Sequence, residues 1–238
     1  MKAFAALYKA TARQFLRDRM AILFTMLLPV MMAGFFGLIF KEQPASYIPG
    51  MLALAILWLG VFGVAPPLVQ MREQQVLRRV SATPLKRSTF LAAQVAWRVT
   101  TGLLQAVIML LFGMLALGLK LSGNPLLMVA MTLLGTLVFV TLGFLLAGLA
   151  RSSESVVAIG QGVQFPMMFL SGTLFPLEML PDFLRPVTAA MPLTYLTDGL
   201  KQTMLNAPPL YPLWLDFTVL GGALLLLLLL ATRYFRWE

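Results

Sequence analysis

Six separate stretches of this sequence are long, apolar and almost free of charge: Met20 to Phe40, Ile48 to Gln70, Val99 to Leu119, Leu126 to Ala150, Val156 to Leu174 and Leu213 to Thr232. None contains Lys, Arg or Glu, and Asp216, near the start of the sixth, is their only acid. A helix needs about 20 mostly apolar residues to cross the hydrocarbon core of a bilayer. Lipid offers the backbone no hydrogen-bond partner, so such stretches are helical. The expected fold is an all-α polytopic membrane protein with six transmembrane helices, one domain over residues 1–238. The first stretch has full span length and no A-x-A-like site after it, which reads as an uncleaved first span rather than a signal peptide.

Composition agrees. Hydrophobic residues make up 60% of the chain and charged residues 11%, against about 25% charged in a soluble domain. Histidine and cysteine are absent, which excludes Cys/His zinc sites, disulfides, thiol catalysis and imidazole chemistry. The net charge of +9 comes from bases placed on one side of the expected spans. With the N-terminus in the cytoplasm, fourteen of the 18 Lys and Arg residues fall on cytoplasmic segments, Arg98 among them. Only Lys41, Lys120, Arg185 and Lys201 fall outside. The positive-inside rule then puts both termini in the cytoplasm, in a multi-pass protein of the cell (plasma or inner) membrane. It accounts for the charge without nucleic acid.

Three segments lie outside the spans. In residues 1–19, Phe4, Leu7, Tyr8, Thr11 and Phe15 fall in one arc at helical spacing, with Lys2, Lys9, Arg13 and Arg17 opposite. That is the pattern of an amphipathic helix lying in the membrane interface. Residues 71–90 form the longest polar cytoplasmic segment. Met71 to Thr83 lacks Pro and Gly and reads as a helix stopped by Pro84, with Ser88 as N-cap of the next helix. Pro66-Pro67 upstream should kink or interrupt the second span. Residues 175–212 hold 7 of the 15 prolines yet keep many large apolar side chains. Short re-entrant or interfacial helices at the outer face satisfy both facts, and Asp182/Arg185 and Asp198/Lys201 have the i,i+3 spacing of helical ion pairs. Pro29 and Pro166 should kink their spans. Gly143 and Ala147 allow close helix contact, and the leucine run Leu224 to Leu230 faces lipid most simply.

Catalytic machinery is missing. No stretch matches G-x-x-x-x-G-K-[ST], so the chain has no phosphate-cradling loop. Ser171 sits in no G-x-S-x-G elbow. No paired carboxylates lie within the spans, where an ion-driven carrier keeps its titratable groups. The polar groups at membrane depth are the amides Gln105, Gln161 and Gln164, available either to a translocation pathway or to helix–helix hydrogen bonds.

Three stretches resemble a known family. The second span opens Tyr47-Ile48-Pro49-Gly50-Met51-Leu52. The cytoplasmic segment carries Arg72-Glu73, Leu77-Arg78-Arg79 and Ala82-Thr83-Pro84-Leu85. The outer segment carries Ser171-Gly172-Thr173-Leu174-Phe175-Pro176-Leu177-Glu178, then Leu180-Pro181 and Met191-Pro192-Leu193-Thr194-Tyr195. In this order around six spans they resemble the membrane subunit of ABC-2-type transporters. The resemblance implies a half-transporter that pairs with a second permease copy, identical or related, and binds two cytoplasmic ABC ATPase subunits. ATP and magnesium then belong to the ATPase, with no cofactor, metal or catalytic residue on this chain. It implies contact with the ATPase through the N-terminal helix (Arg13, Arg17) and a coupling helix (Arg72, Glu73, Arg78, Arg79). It also implies outer closure by Glu178, Asp182, Arg185 and Tyr195. A carrier driven by an ion gradient is the alternative, and a membrane-embedded enzyme lacks any catalytic set.

Overall fold

The computed structural model describes residues 2–39, 44–81, 86–174 and 177–234. Among these the regular structure is helical throughout, with no strand. The helices are α1 (Lys2–Arg17), α2 (Arg19–Ile39), α3 (Pro44–Glu73), α4 (Val76–Ser81), α5 (Arg87–Ala116), α6 (Pro125–Leu149), α7 (Ser153–Leu170), α8 (Arg185–Ala189), α9 (Pro192–Leu205) and α10 (Leu213–Tyr234). Five of them, α2, α3, α5, α6 and α10, are long and apolar enough to cross a membrane. The expected fifth span appears as α7, 18 residues long. It begins at Ser153 rather than Val156 and ends at Leu170, so it takes in Glu154 as well as Gln161 and Gln164. By length and apolarity it stands apart from the other five.

The core is built on α3 and α6. From Tyr47 to Leu57 every α3 residue is buried, which explains an apolar stretch without a polar face. The two helices cross where glycine faces backbone: a Cβ on Gly60 would overlap the Phe139 carbonyl, and one on Gly143 the Gly60 carbonyl. Contact that close gains dispersion energy without the side-chain entropy a larger residue loses. α10 lies at the edge, with Leu225, Leu226 and Leu229 of its leucine run exposed.

The helix boundaries follow local chemistry. Asn124 caps α6, accepting from the Leu126 N–H at 2.9 Å, with Pro125 at the first helical position. Ser152 and Ser155 form a reciprocal capping box at α7. In α2, Leu23–Leu27 winds as a π-helix just before Pro29. Proline lacks the N–H that would bond four residues back, and the wider turn absorbs that loss.

Several expected boundaries move. α3 is not interrupted at Pro66-Pro67 and runs on to Glu73. Met71 to Thr83 is not one helix: the chain turns at Gln74-Gln75, where Gln75 has φ 59, and restarts as the six-residue α4. The expected stop at Pro84 lies outside the described residues. α5 starts at Arg87 with Lys86, not Ser88, at its N-cap. The helix that carries the third span therefore begins well before Val99, and Arg98, counted above as cytoplasmic, lies inside a membrane-length helix.

The last third folds back into the bundle. After two 3₁₀ turns, Leu177–Met179 and Asp182–Leu184, the short α8 leads into α9. Leu193, Leu196 and Leu200 of α9 are fully buried against α3, α6 and α10. At 14 residues, α9 is too short to span. It ends at Asn206, whose left-handed φ of 49 closes the helix. The Asn206 amide donates to the Ser122 carbonyl at 2.5 Å, tying the α5–α6 loop to the end of α9.

Candidate functional site

At the end of the bundle where α3 stops, two adjacent residues grip the turn between α6 and α7. Arg72 Nη1 donates to the Ala147 carbonyl at 3.2 Å and Nη2 to the Ala150 carbonyl at 2.5 Å. These carbonyls close the last turn of α6, where intrahelical donors run out. Glu73 accepts from the Ser153 N–H at 2.8 Å and from the Ser153 hydroxyl at 2.5 Å. A carboxylate at the first turn of α7 meets the positive end of that helix. Arg72 and Glu73 thus serve the fold of their own chain. Glu73, which the resemblance puts at the ATPase contact, takes its hydrogen bonds from Ser153. Arg78 and Arg79 project from α4 and are exposed, with Arg79 reaching back to the Gln74 carbonyl at 3.2 Å.

α1 lies along the first half of α5. Tyr8 and Phe15 each meet Trp97 edge-on at 5.6 Å, and the Tyr8 hydroxyl donates to Thr100 Oγ1 at 2.9 Å. The apolar arc expected for this helix is the arc that packs, while Lys9, Arg13 and Arg17 are exposed. The described bases of α1 and α4 are thus all exposed.

At the other end, Gln202 of α9 gathers two acids. Its Nε2 lies 3.0 Å from Asp198 Oδ2, 2.9 Å from Asp216 Oδ2 and 2.9 Å from the Tyr211 carbonyl. Asp198 also accepts from the Leu210 N–H at 3.1 Å and the Tyr211 N–H at 2.9 Å. Asp198 thus takes its hydrogen bonds from Gln202 and the loop's amides, while Lys201, expected beside it, also reaches the Gly172 carbonyl at 3.4 Å. Asp182 and Arg185 do pair, at 2.8 Å, but in the open, where such a bridge contributes under about 1 kcal/mol. The Tyr195 ring stacks on Tyr211 at 5.1 Å and its hydroxyl donates to the Ala189 carbonyl at 2.7 Å. Burial, with Tyr211 and Asp216 close by, pushes that hydroxyl above the ordinary tyrosine range and keeps it a donor. The Glu178 side chain lies outside the described residues.

The three glutamines separate. Gln105 is buried with neither amide atom paired. Gln161 is exposed on α7, and Gln164 is buried and lines a cavity. Arg98, Trp58 and Trp97 line the same cavity and were not singled out by sequence. Arg98 was hidden by the span limit placed at Val99, just after it.

The profile of the ABC-2 type transporter family matches residues 2–205. The chain belongs to that family. It is a permease-type, multi-pass membrane protein, and the family's span includes both ends of the bundle described above. Among similar proteins, ABC transporter G family member 20 of Dictyostelium discoideum is 24% identical over 185 residues, 77% of this chain and 25% of the relative. Nodulation protein J of Rhizobium meliloti (strain 1021) is 26% identical over 183 residues, 74% of this chain and 69% of the relative. Linearmycin resistance permease protein LnrN of Bacillus subtilis (strain 168) is 25% identical over 165 residues, 69% and 42% of the two chains. The match thus spans a quarter of the Dictyostelium protein and under half of the Bacillus one.

Proposed function

We propose that this ABC-2 chain is the membrane-spanning subunit of an ATP-driven exporter of the cell membrane. In this reading it forms the translocation pathway with a second permease, identical or related. Two separate cytoplasmic ATPase subunits hold the ATP and magnesium. The observation that carries the reading is the family match over residues 2–205 in a chain without a G-x-x-x-x-G-K-[ST] loop. The relatives whose printed names call them permeases are consistent with it.

The exposed bases of α4 and α1 support docking of the ATPase at the end where α3 stops, which becomes the cytoplasmic end, with both termini there. The side chain of Gln161 supports a second permease. It stands exposed on α7 beside Val157, Ile159 and Phe165, also exposed. A polar amide at membrane depth is better served by a partner helix than by hydrocarbon. The carrier alternative loses ground, since Asp198 is held by Gln202 and loop amides, Asp216 meets Gln202 through Oδ2, and neither acid is among the cavity's lining residues.

The test is recovery of an ATPase. Co-expressed with its ATPase, the chain should purify as two permeases with two ATPases and, alone, should hydrolyse no ATP. Arg78→Glu with Arg79→Glu should weaken ATPase binding about tenfold or more, roughly 1.4 kcal/mol per decade. Lys120→Glu, at the opposite end, should leave it unchanged. Parent-like binding by the double variant removes α4 from the interface.

A further inference from the structure

A cavity of about 500 Å³ opens between α1, α2, α3 and α5. Three of its lining residues are donors with nothing to donate to. Among the described residues the Arg98 guanidinium has neither a hydrogen bond nor an ion pair. The indole N–H groups of Trp58 and Trp97 are buried without an acceptor, and Trp97 is only 8% exposed. Indole and guanidinium groups can donate but cannot accept. Buried donors left unpaired are rare in folded proteins and call for a partner.

Depth sharpens the demand. Arg98 lies across Gly63 of α3, where an added Cβ would stand 3.3 Å from Nη1. Gly63 is ten residues before Glu73, about 15 Å up the helix. A cation at that depth is costly unless something pairs with it. Among the described wall residues the only acid is Asp18, at the start of α2, where it caps the Ala21 N–H at 3.0 Å. Gln14, Gln94 and Gln164 are the side-chain amides on the wall. Much of the remaining wall is apolar, including Phe15, Phe24, Leu28 and Phe62. The neighbouring α2 side chains Leu23, Leu27 and Met31 are exposed on the outside of the bundle.

We infer that this cavity binds an anionic membrane amphiphile, its phosphate or carboxylate head on Arg98 with the Trp58 and Trp97 indoles as further donors. Its hydrocarbon chain lies along α2. A charge-assisted bond to a guanidinium is the strongest such contact available. A hydrocarbon tail matches the apolar wall, which a free inorganic anion would leave empty. The site stands whether or not an ATPase docks on the chain.

The test uses the full chain in detergent, titrated with phosphatidylglycerol, phosphatidylcholine or inorganic phosphate and read by native mass spectrometry. One phosphatidylglycerol per chain should survive delipidation, at least tenfold more strongly than phosphatidylcholine. Arg98→Gln should abolish that preference and Arg98→Lys should keep part of it. A Trp214→Phe, Trp237→Phe background leaves Trp58 and Trp97 as the only indoles. In it, phosphatidylglycerol brominated on its acyl chains should quench fluorescence more than brominated phosphatidylcholine. Equal binding of the two lipids by the parent overturns the proposal, even if Arg98→Gln fails to fold. So does undiminished preference in Arg98→Gln. Phosphate that displaces the lipid at equal concentration would make this a free-anion site and overturn the amphiphile.

Discussion

Arg72 and Glu73 sit side by side and do opposite things to one turn. The arginine satisfies carbonyls at the end of α6, and the glutamate satisfies donors at the start of α7. Any effect of Glu73 on an ATPase could then run either through a base on the partner or through Ser153. The two routes are separable. Glu73→Gln keeps an oxygen that can accept from Ser153 but loses the charge; Glu73→Lys loses both. If Glu73 acts by holding the turn, Glu73→Gln binds ATPase like the parent and Glu73→Lys binds less, by co-purification. Equal loss in both variants assigns Glu73 to a charged partner. The sequence could show that Glu73 is a lone acid among bases. It could not show that Ser153, 80 residues on, would come within hydrogen-bond reach, since that contact exists only once α3, α6 and α7 are packed.

Among the helices, most of the fold was legible because apolar length and helical period are local. The arc of α1 and the extents of α3, α6 and α10 follow from them. The misses share a cause. The third span was taken to begin after the last charge, Arg98, although α5 carries that charge along and lays it against Gly63. For α9 the sequence left re-entrant and interfacial readings open, because proline density says where a chain bends, not where it then goes; the burial of Leu193, Leu196 and Leu200 favours the re-entrant one. Packing depth is likewise read from structure: Gly60 and Gly143 touch backbone, whereas a Cβ at Gly221 or Gly222 meets nothing within 4 Å. Leucine at Gly60 or Gly143 should therefore destabilise strongly. Overpacking costs about 1–3 kcal/mol where side chains can yield, and here the opposing atoms are backbone. Leucine at Gly221 or Gly222 should be tolerated. Yield and melting temperature of monodisperse protein in detergent measure this, and equal behaviour at the four sites contradicts the α3–α6 crossing.

For the whole molecule, the open question is how many times the chain crosses, and α7 decides it. It carries Glu154, Gln161 and Gln164 in 18 residues and, unlike the other five, holds no stretch apolar enough to cross by composition. Its contacts argue the other way. Ser153 meets Glu73 at one end of α3, while Thr173, just past α7, packs against Gly50 near the other, where a Cβ would overlap its carbonyl. From Gly50 to Glu73, α3 rises about 35 Å at 1.5 Å per residue, enough to cross the roughly 30 Å hydrocarbon core. The chain from Ser153 to Thr173 covers the same depth. These contacts favour six crossings, an even number that leaves both termini on one side, which we propose is the cytoplasm; the absence of cysteine makes the test clean. Single cysteines replace exposed Lys120, Glu154 and Pro208; Ser153 is avoided because Glu73 engages it. An impermeant maleimide should label Lys120→Cys and Pro208→Cys on intact cells, and Glu154→Cys only after permeabilisation. Labelling of Glu154→Cys with protection of the other two reverses the orientation. Labelling of Lys120→Cys without Pro208→Cys means that α7 enters and leaves by the same face, and the count returns to five.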